Sequence, residues 1–191
     1  MLTPFALDTH SITAPVALAP LAGVTDAPIR AEVLSYGAGL VVSEMVSARA
    51  FEGGKADAAQ KATLSAAERS CAAAAASVQI AGRCPEQLAE LARAAEGLGA
   101  PIIDINMGCP AKKVAGPKAV AGYAGAALLR DPLAALRIIE RVAKAVSAPV
   151  TVKMRRGGDQ PGAAAEIAAQ AEAAGARMLA VHGRTRAQFY K

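Results

Sequence analysis

Short apolar runs rich in β-branched residues alternate with alanine-rich helical stretches through almost the whole chain. This alternation constrains the fold most, because strand-helix repeats are typical of a parallel sheet whose strands are joined by crossover helices. The apolar runs predict six strands, near residues 16–20, 40–44, 75–80, 102–106, 150–154 and 178–182. The periodic stretches between them predict helices near residues 27–36, 85–98, 132–146 and 162–174.

Capping residues support these helix boundaries. Asp26 and Asp131 each stand just before a proline-containing first turn, the pattern of an N-cap residue. Three helices are predicted to end at a glycine in the left-handed conformation, namely Gly37, Gly99 and Gly175.

The carboxyl end of each predicted strand carries residues capable of chemistry or of close backbone approach. They are Ala22-Gly23, Ser43-Glu44-Met45, Gln79, Asn106-Met107-Gly108-Cys109, Lys153 with Arg155, and His182-Gly183-Arg184-Thr185-Arg186. In a TIM barrel these ends meet at one mouth, so six distant segments would form one site. An open doubly wound sheet is the alternative, but Leu21-Ala22-Gly23 is too sparse for its glycine-rich turn.

The length of the chain limits how much of a barrel it can form. A complete (β/α)8 barrel needs about 250 residues, whereas this chain has 191. The sequence therefore predicts a TIM (β/α)8 barrel truncated after about six strands, in which residues 1–191 form one partial catalytic domain. We expect the interrupted sheet to expose an edge that favours association.

Composition excludes several classes of protein. No apolar run approaches the roughly 20 residues of a membrane span, and no Lys or Arg precedes Arg30 as in a signal peptide. We therefore expect a cytoplasmic protein. Three cysteines, Cys71, Cys84 and Cys109, lack the paired spacing of a metal site, so no metal is expected. A net charge of +5 permits an anionic partner without requiring one.

Five motifs of this chain resemble the bacterial tRNA-dihydrouridine synthases, most closely the B subgroup. They occur in the family's order from about residue 14 onward, as Leu18-Ala19-Pro20-Leu21-Ala22-Gly23-Val24-Thr25-Asp26, Val42-Ser43-Glu44-Met45, Val78-Gln79-Ile80-Ala81-Gly82, Asp104-Ile105-Asn106-Met107-Gly108-Cys109-Pro110-Ala111-Lys112-Lys113-Val114 and Val181-His182-Gly183-Arg184-Thr185-Arg186. Residues 115–121 make the following link longer than is usual in the family.

The resemblance implies a flavoenzyme that reduces the C5=C6 bond of selected uridines in tRNA to 5,6-dihydrouridine. FMN would carry the hydride and NADPH would be the reductant. On this resemblance we expect strands 7 and 8, with their phosphate-binding segments, and the family's helical tRNA-binding domain to be absent from residues 1–191.

The resemblance also implies roles for individual residues. Cys109 would be the general acid, since an unperturbed thiol has a pKa of roughly 8.5 and therefore keeps its proton at neutral pH. Asn106 would hold the substrate base. Cofactor contacts fall to the amide of Gln79, the ammonium of Lys153, the imidazole of His182 and the packing surface of Ala19, Pro20, Leu21 and Ala22. Phosphates of tRNA would meet Lys112, Lys113, Arg184 and Arg186.

Each role has an ordinary structural alternative. Cys109 could be a small buried hydrophobe, Asn106 a turn cap and His182 a core histidine satisfied by the backbone. Lys153 and the basic residues could simply be solvated. Two other functions also stay open: an FMN barrel reductase of a free pyrimidine, related to dihydroorotate dehydrogenase, and a non-catalytic RNA-binding fragment.

Overall fold

The computed structural model describes residues 3–54, 60–70, 75–111, 114, 124–157 and 162–189. An amino-terminal hairpin of β1 (Phe5–Leu7) and β2 (His10–Ile12) precedes the main sheet. The sheet contains β3 (Ala17–Leu18), β4 (Leu40–Val42), β5 (Val46–Ser47), β6 (Ala75–Ala81), β7 (Ile103–Met107), β8 (Val150–Arg155) and β9 (Ala176–His182).

Helices follow the strands as expected. They are α1 (Ala27–Ser35), α2 (Ala48–Glu52), α3 (Ala66–Ser70), α4 (Pro85–Gly97), the 3-10 helix Gly125–Arg130, α5 (Pro132–Ala143) and α6 (Ala163–Ala171). The four longer helices confirm the prediction. The hairpin, β5, α2, α3 and the 3-10 helix were not predicted, because elements of two to six residues carry too little periodicity.

The predicted helix caps are confirmed. The Asp26 carboxylate accepts a hydrogen bond from the Ile29 amide at 3.1 Å, and the Asp131 carboxylate accepts one from the Ala134 amide at 3.0 Å. The three predicted cap glycines all have positive φ angles.

The order of the strands distinguishes a barrel from an open sheet. Six parallel strands pair in chain order, β3-β4-β6-β7-β8-β9, and β5 adds a short pairing to β6. A doubly wound sheet reverses its strand order at a switch point. No such reversal occurs among the described strands, so the predicted truncated TIM barrel is confirmed.

The two faces of the sheet differ in chemistry. The face under the helices is apolar, and Ile80, Ile105 and Val152 are fully buried there against Leu88 and Ile138. Alternate positions on the inner face carry buried polar residues, namely Ser77, Gln79, Asp104, Asn106 and Thr151. Since both faces are buried, the polar row lies inside the barrel instead of facing solvent.

An apolar plug closes the amino end of the barrel. Leu7 and Ile12 of the hairpin pack with Leu40, Ala75 and Ile102 at or beside the starts of three strands. All five residues are buried. The polar part of the interior therefore faces the carboxyl ends of the strands.

A buried ion pair anchors α1 to α3. The Arg30 guanidinium contacts both carboxylate oxygens of Glu68 and donates to the Thr25 carbonyl at 2.8 Å. Burial alone raises the pKa of a carboxyl group, but hydrogen bonds from Arg30 and Ser65 and the Arg30 charge outweigh it, so the pKa of Glu68 lies below its usual range.

We expect Glu68→Gln to lower the free energy of unfolding at pH 7 by about 3 kcal/mol, because it leaves Arg30 buried beside a neutral partner. A depressed pKa stabilises the fold above the unfolded value of roughly 4.3, so the difference should shrink as the pH falls below it. Denaturant unfolding at pH 7 and at lower pH measures this change.

The exposed pair between Glu140 and Lys144 provides the control. Glu140→Gln should lower the free energy of unfolding far less than Glu68→Gln does, since solvent screens a surface pair. Equal losses in the two variants would contradict an anchoring role for Glu68.

Candidate active site

A pocket of about 510 Å³ opens where the sheet strands end. Nine of the predicted site residues line it: Ala19, Pro20, Leu21, Ala22, Gln79, Asn106, Cys109, Lys153 and His182. Val24, Met45, Gly108, Pro110 and Arg155 complete the lining. The structure thus brings together residues that are far apart in the sequence, as expected for a barrel mouth.

A chain of hydrogen bonds crosses the inner face of the barrel below this pocket. Asp104 accepts from the Thr151 hydroxyl and from the Gln79 side-chain amide, both at 2.6 Å. The carbonyl oxygen of the Gln79 side chain accepts from Asn106 Nδ2 at 2.7 Å. Asn106 Oδ1 in turn accepts from the backbone amides of Gly108 at 3.1 Å and Cys109 at 2.9 Å. The buried interior is thereby linked to the loop that carries the thiol.

Asn106 adopts the turn-capping arrangement that the sequence left open as an alternative. Its carbonyl oxygen is used by its own loop, and its amide nitrogen contacts Gln79 and, at 3.7 Å, the sulfur of Met45. A thioether is a weak acceptor. The N–H facing Met45 is therefore the part of Asn106 best able to change partner, and contact with a substrate base stays a prediction.

The Cys109 loop is packed from behind by the 3-10 helix. The Cys109 carbonyl accepts from the Ala126 amide at 3.0 Å. Gly125 has φ +54°, and a Cβ there would lie 2.7 Å from the Cys109 carbonyl oxygen. Only glycine fits such a close approach without displacing the loop. The contact between Gly125 and Cys109 therefore constrains the position of the Cys109 backbone at the pocket.

One buried polar atom at the pocket, Nδ1 of His182, has no hydrogen-bond partner in the described part of the chain. Lys153 also lines the pocket and is half-buried. Burial lowers the pKa of Lys153, while the nearby Asp104 charge opposes the shift. Burial also lowers the pKa of His182, aided by the charges of Arg155, Lys153 and Arg184. Unsatisfied buried polar atoms are uncommon in proteins and often mark a ligand site.

Arg155 joins two loops of the site. Its Nε donates to the Gly108 carbonyl at 2.9 Å, and its Nη1 donates to the carbonyls of Thr185 and Phe189, both at 2.8 Å. The side chain is almost fully buried. Sequence reasoning noted Arg155 at a strand end but gave it no role. Its signal is the spacing of two residues that places it on the inner face with Thr151 and Lys153.

The turn from Ala19 to Val24 forms part of the pocket wall. The Gly23 amide donates to the Glu44 carboxylate at 2.5 Å, and the Leu21 amide donates to the Thr25 hydroxyl at 3.0 Å. Leu21 and Val24 remain half exposed. This wall therefore offers an apolar surface on a turn held by polar contacts.

Two of the four predicted basic contacts, Arg184 and Arg186, are not among the residues that line this pocket. Arg184 is exposed and Arg186 is partly buried in the segment after β9. Lys112, Lys113 and the link at residues 115–121 lie outside the described residues. Across the described ranges, no cluster of three metal-ligating side chains occurs and no helix is long and apolar enough to cross a membrane.

The fold and the site define an α/β-barrel protein whose pocket lies at the end of the barrel where such proteins bind their ligands. A family model described as dihydrouridine synthase (Dus) matches residues 17–191. The chain belongs to the dihydrouridine synthase family, which confirms the resemblance seen in its five motifs.

Individual relatives agree with this assignment. A probable tRNA-dihydrouridine synthase of Rhodobacter capsulatus is 53% identical over 96% of this chain and 54% of the relative. A protein named tRNA-dihydrouridine synthase B, from Pseudomonas aeruginosa, is 47% identical over 91% of this chain and 49% of the relative. The chain thus spans about half the length of the curated relatives it matches.

A solved structure supports the fold alone. Histamine dehydrogenase from Rhizobium sp. 4-9 matches with a TM-score of 0.59 and 13% identity, over 86% of this chain and 34% of that chain.

We expect Arg155→Ala to lower the free energy of unfolding by about 2–3 kcal/mol, because three backbone carbonyl groups lose the donor that the buried guanidinium supplies. Amides of residues 183–189 should also exchange faster with solvent. Hydrogen exchange followed by mass spectrometry measures this, with the exposed neighbour Arg156→Ala as the control. Unchanged exchange in Arg155→Ala would show that Arg155 does not hold the two loops together.

Proposed function

We propose that this chain forms the catalytic portion of a tRNA-dihydrouridine synthase that reduces the C5=C6 bond of uridine in tRNA, with FMN as cofactor and NADPH as reductant. The observation that carries the proposal is the convergence of Cys109, Asn106, Lys153 and His182 on one pocket. Membership in the dihydrouridine synthase family supports the same reaction class.

The residues of the pocket fit a flavin. The Lys153 ammonium would neutralise negative charge on the cofactor, and His182 Nδ1 would form a hydrogen bond with it. Gln79 retains a second amide N–H after donating to Asp104, and the wall from Ala19 to Ala22 supplies an apolar surface. When bound, FMN supplies the hydride that no side chain carries.

Reduction of a C=C bond also needs a proton at the second carbon. Cys109 lines the pocket and carries a thiol S–H, a group that can act as a general acid, so it would donate this proton. The Asn106 N–H that now faces Met45 is a donor, and it would suit a carbonyl oxygen such as those of uracil. The thiol and this amide belong to one hydrogen-bonded loop. The loop would therefore position the uracil base and its proton donor relative to each other.

Basic residues around the mouth would bind the tRNA backbone. Arg184 and Arg186 follow β9, and Lys112 and Lys113 follow Cys109 in the sequence. A uridine must leave the base stack to reach a pocket of this kind, so phosphate contacts have to position the strand on either side. Binding by such charges weakens steeply as salt increases.

Binding of FMN tests the cofactor assignment directly. We expect the purified chain to quench flavin fluorescence on titration, and Lys153→Met to weaken binding by about tenfold or more through loss of one charge contact. The exposed Lys144→Met is the control for removing a lysine. Equal FMN affinity in wild type and Lys153→Met would contradict the role of Lys153.

The two alternative functions give different results when FMN binding is measured together with tRNA binding and pyrimidine reduction. Protein that binds tRNA but no FMN would favour the non-catalytic RNA-binding fragment. Protein that binds FMN and reduces a free pyrimidine, with no response to tRNA, would favour the reductase of a small substrate.

The acid role of Cys109 is tested by single-turnover oxidation of reduced FMN on the enzyme by tRNA. Cys109→Ala should slow this step by about 100-fold or more, the usual contribution of a positioned general acid. Cys84→Ala, which removes a thiol at the start of α4, is the matched control. A Cys109→Ala rate equal to that of wild type would exclude the acid role.

A further inference from the structure

The hydrogen-bond chain below the pocket has a fixed direction. At its inner end one oxygen of Asp104 accepts from the Gln79 side-chain amide, and the other is hydrogen-bonded to the Thr151 hydroxyl. At its outer end the backbone amides of Gly108 and Cys109 can only donate. The side-chain amides of Gln79 and Asn106 satisfy both ends in one orientation, with nitrogen toward Asp104 and oxygen toward the loop.

Burial makes the opposite orientation costly. Asp104, Gln79 and Asn106 are 4%, 1% and 8% exposed, respectively. Reversing either amide would place two donors or two acceptors face to face where water has little access. The carboxylate at one end therefore constrains the loop at the other end, although the two do not touch.

We propose that Asp104 is a positioning residue, whose carboxylate acts through Gln79 and Asn106 to hold the turn that presents Cys109 to the pocket. The inference rests on the proposed function only in taking Cys109 as the reacting group.

A simpler role for Asp104 would be to offset the charge of Lys153. Burial raises the pKa of Asp104, while hydrogen bonds from Gln79 and Thr151 and the charge of Lys153 oppose the shift. If Asp104 only compensated the charge of Lys153, it would not need its hydrogen bond to Gln79 on β6. The two roles can be separated by moving the carboxylate one place along the chain of hydrogen bonds.

Gln79→Glu places two carboxyl groups side by side, at positions 79 and 104. In the folded protein these two groups must share a proton to keep the hydrogen-bond chain unbroken. Such a pair holds its proton more tightly when folded than when unfolded. Its contribution to stability is therefore present at low pH and lost as the pH rises. We expect the melting temperature of Gln79→Glu to fall with increasing pH above about 5, relative to wild type.

The Asp104→Asn/Gln79→Glu double variant restores a complete set of donors and acceptors. The amide introduced at position 104 accepts from Thr151 and donates to the carboxylate at position 79, which still accepts from Asn106. The double variant should lose the extra pH dependence of Gln79→Glu. Ser77→Ala is the matched control, because it removes a buried hydroxyl that lies on the same strand as Gln79 but is not part of the hydrogen-bond chain.

Amide exchange reports whether the turn itself is held. At neutral pH and without cofactor, Gly108 and Cys109 amides should exchange about tenfold faster in Gln79→Glu than in wild type. In the double variant and in Ser77→Ala they should exchange within about twofold of wild type. NMR exchange measurements resolve these two amides individually.

The proposal is overturned if the double variant exchanges as fast at Gly108 and Cys109 as Gln79→Glu does. It is equally overturned if Gln79→Glu leaves both amides protected. If Gln79→Glu fails to fold, the double variant alone decides, by retaining or losing the wild-type protection. Because no flavin or tRNA is present, failure of FMN binding would not change this outcome.

Discussion

The polar interior of the partial barrel depends on one constraint, which is that each buried donor and acceptor must find a partner. Asp104 meets it by accepting from Thr151 and Gln79, and Asn106 continues the pairing to the backbone of Gly108 and Cys109. A buried carboxylate without these partners would be far less stable. The same bonds that make the interior tolerable also place the thiol loop at the pocket.

The surrounding fold separates stability from chemistry. Apolar residues on the outer face of β6, β7 and β8 pack under α4 and α5, and the hairpin closes the amino end. The inner face therefore need not supply hydrophobic stabilisation near the carboxyl ends. It can carry Lys153, Arg155 and His182, whose burial would be unfavourable in an apolar core.

Much of the architecture follows from local patterns. Strand and helix spacing, with caps at Asp26 and Asp131, predicts the longer elements, because backbone conformation depends on nearby residues. The shorter elements escape this reasoning. The hairpin forms because Leu7 and Ile12 are buried by strands distant in sequence, a contact with no local signal.

Sequence patterns alone predict the βαβ order, the truncated barrel and the family to which the chain belongs. The three-dimensional structure was needed to show which groups Asn106 bonds, namely Gln79 on the neighbouring strand and Cys109 in its own loop. It also decided that Asp104 and Arg155, neither assigned a role from the sequence, connect the parts of the site. The physical reason is that hydrogen-bond partners inside a barrel come from adjacent strands, 25 to 47 residues apart in the sequence.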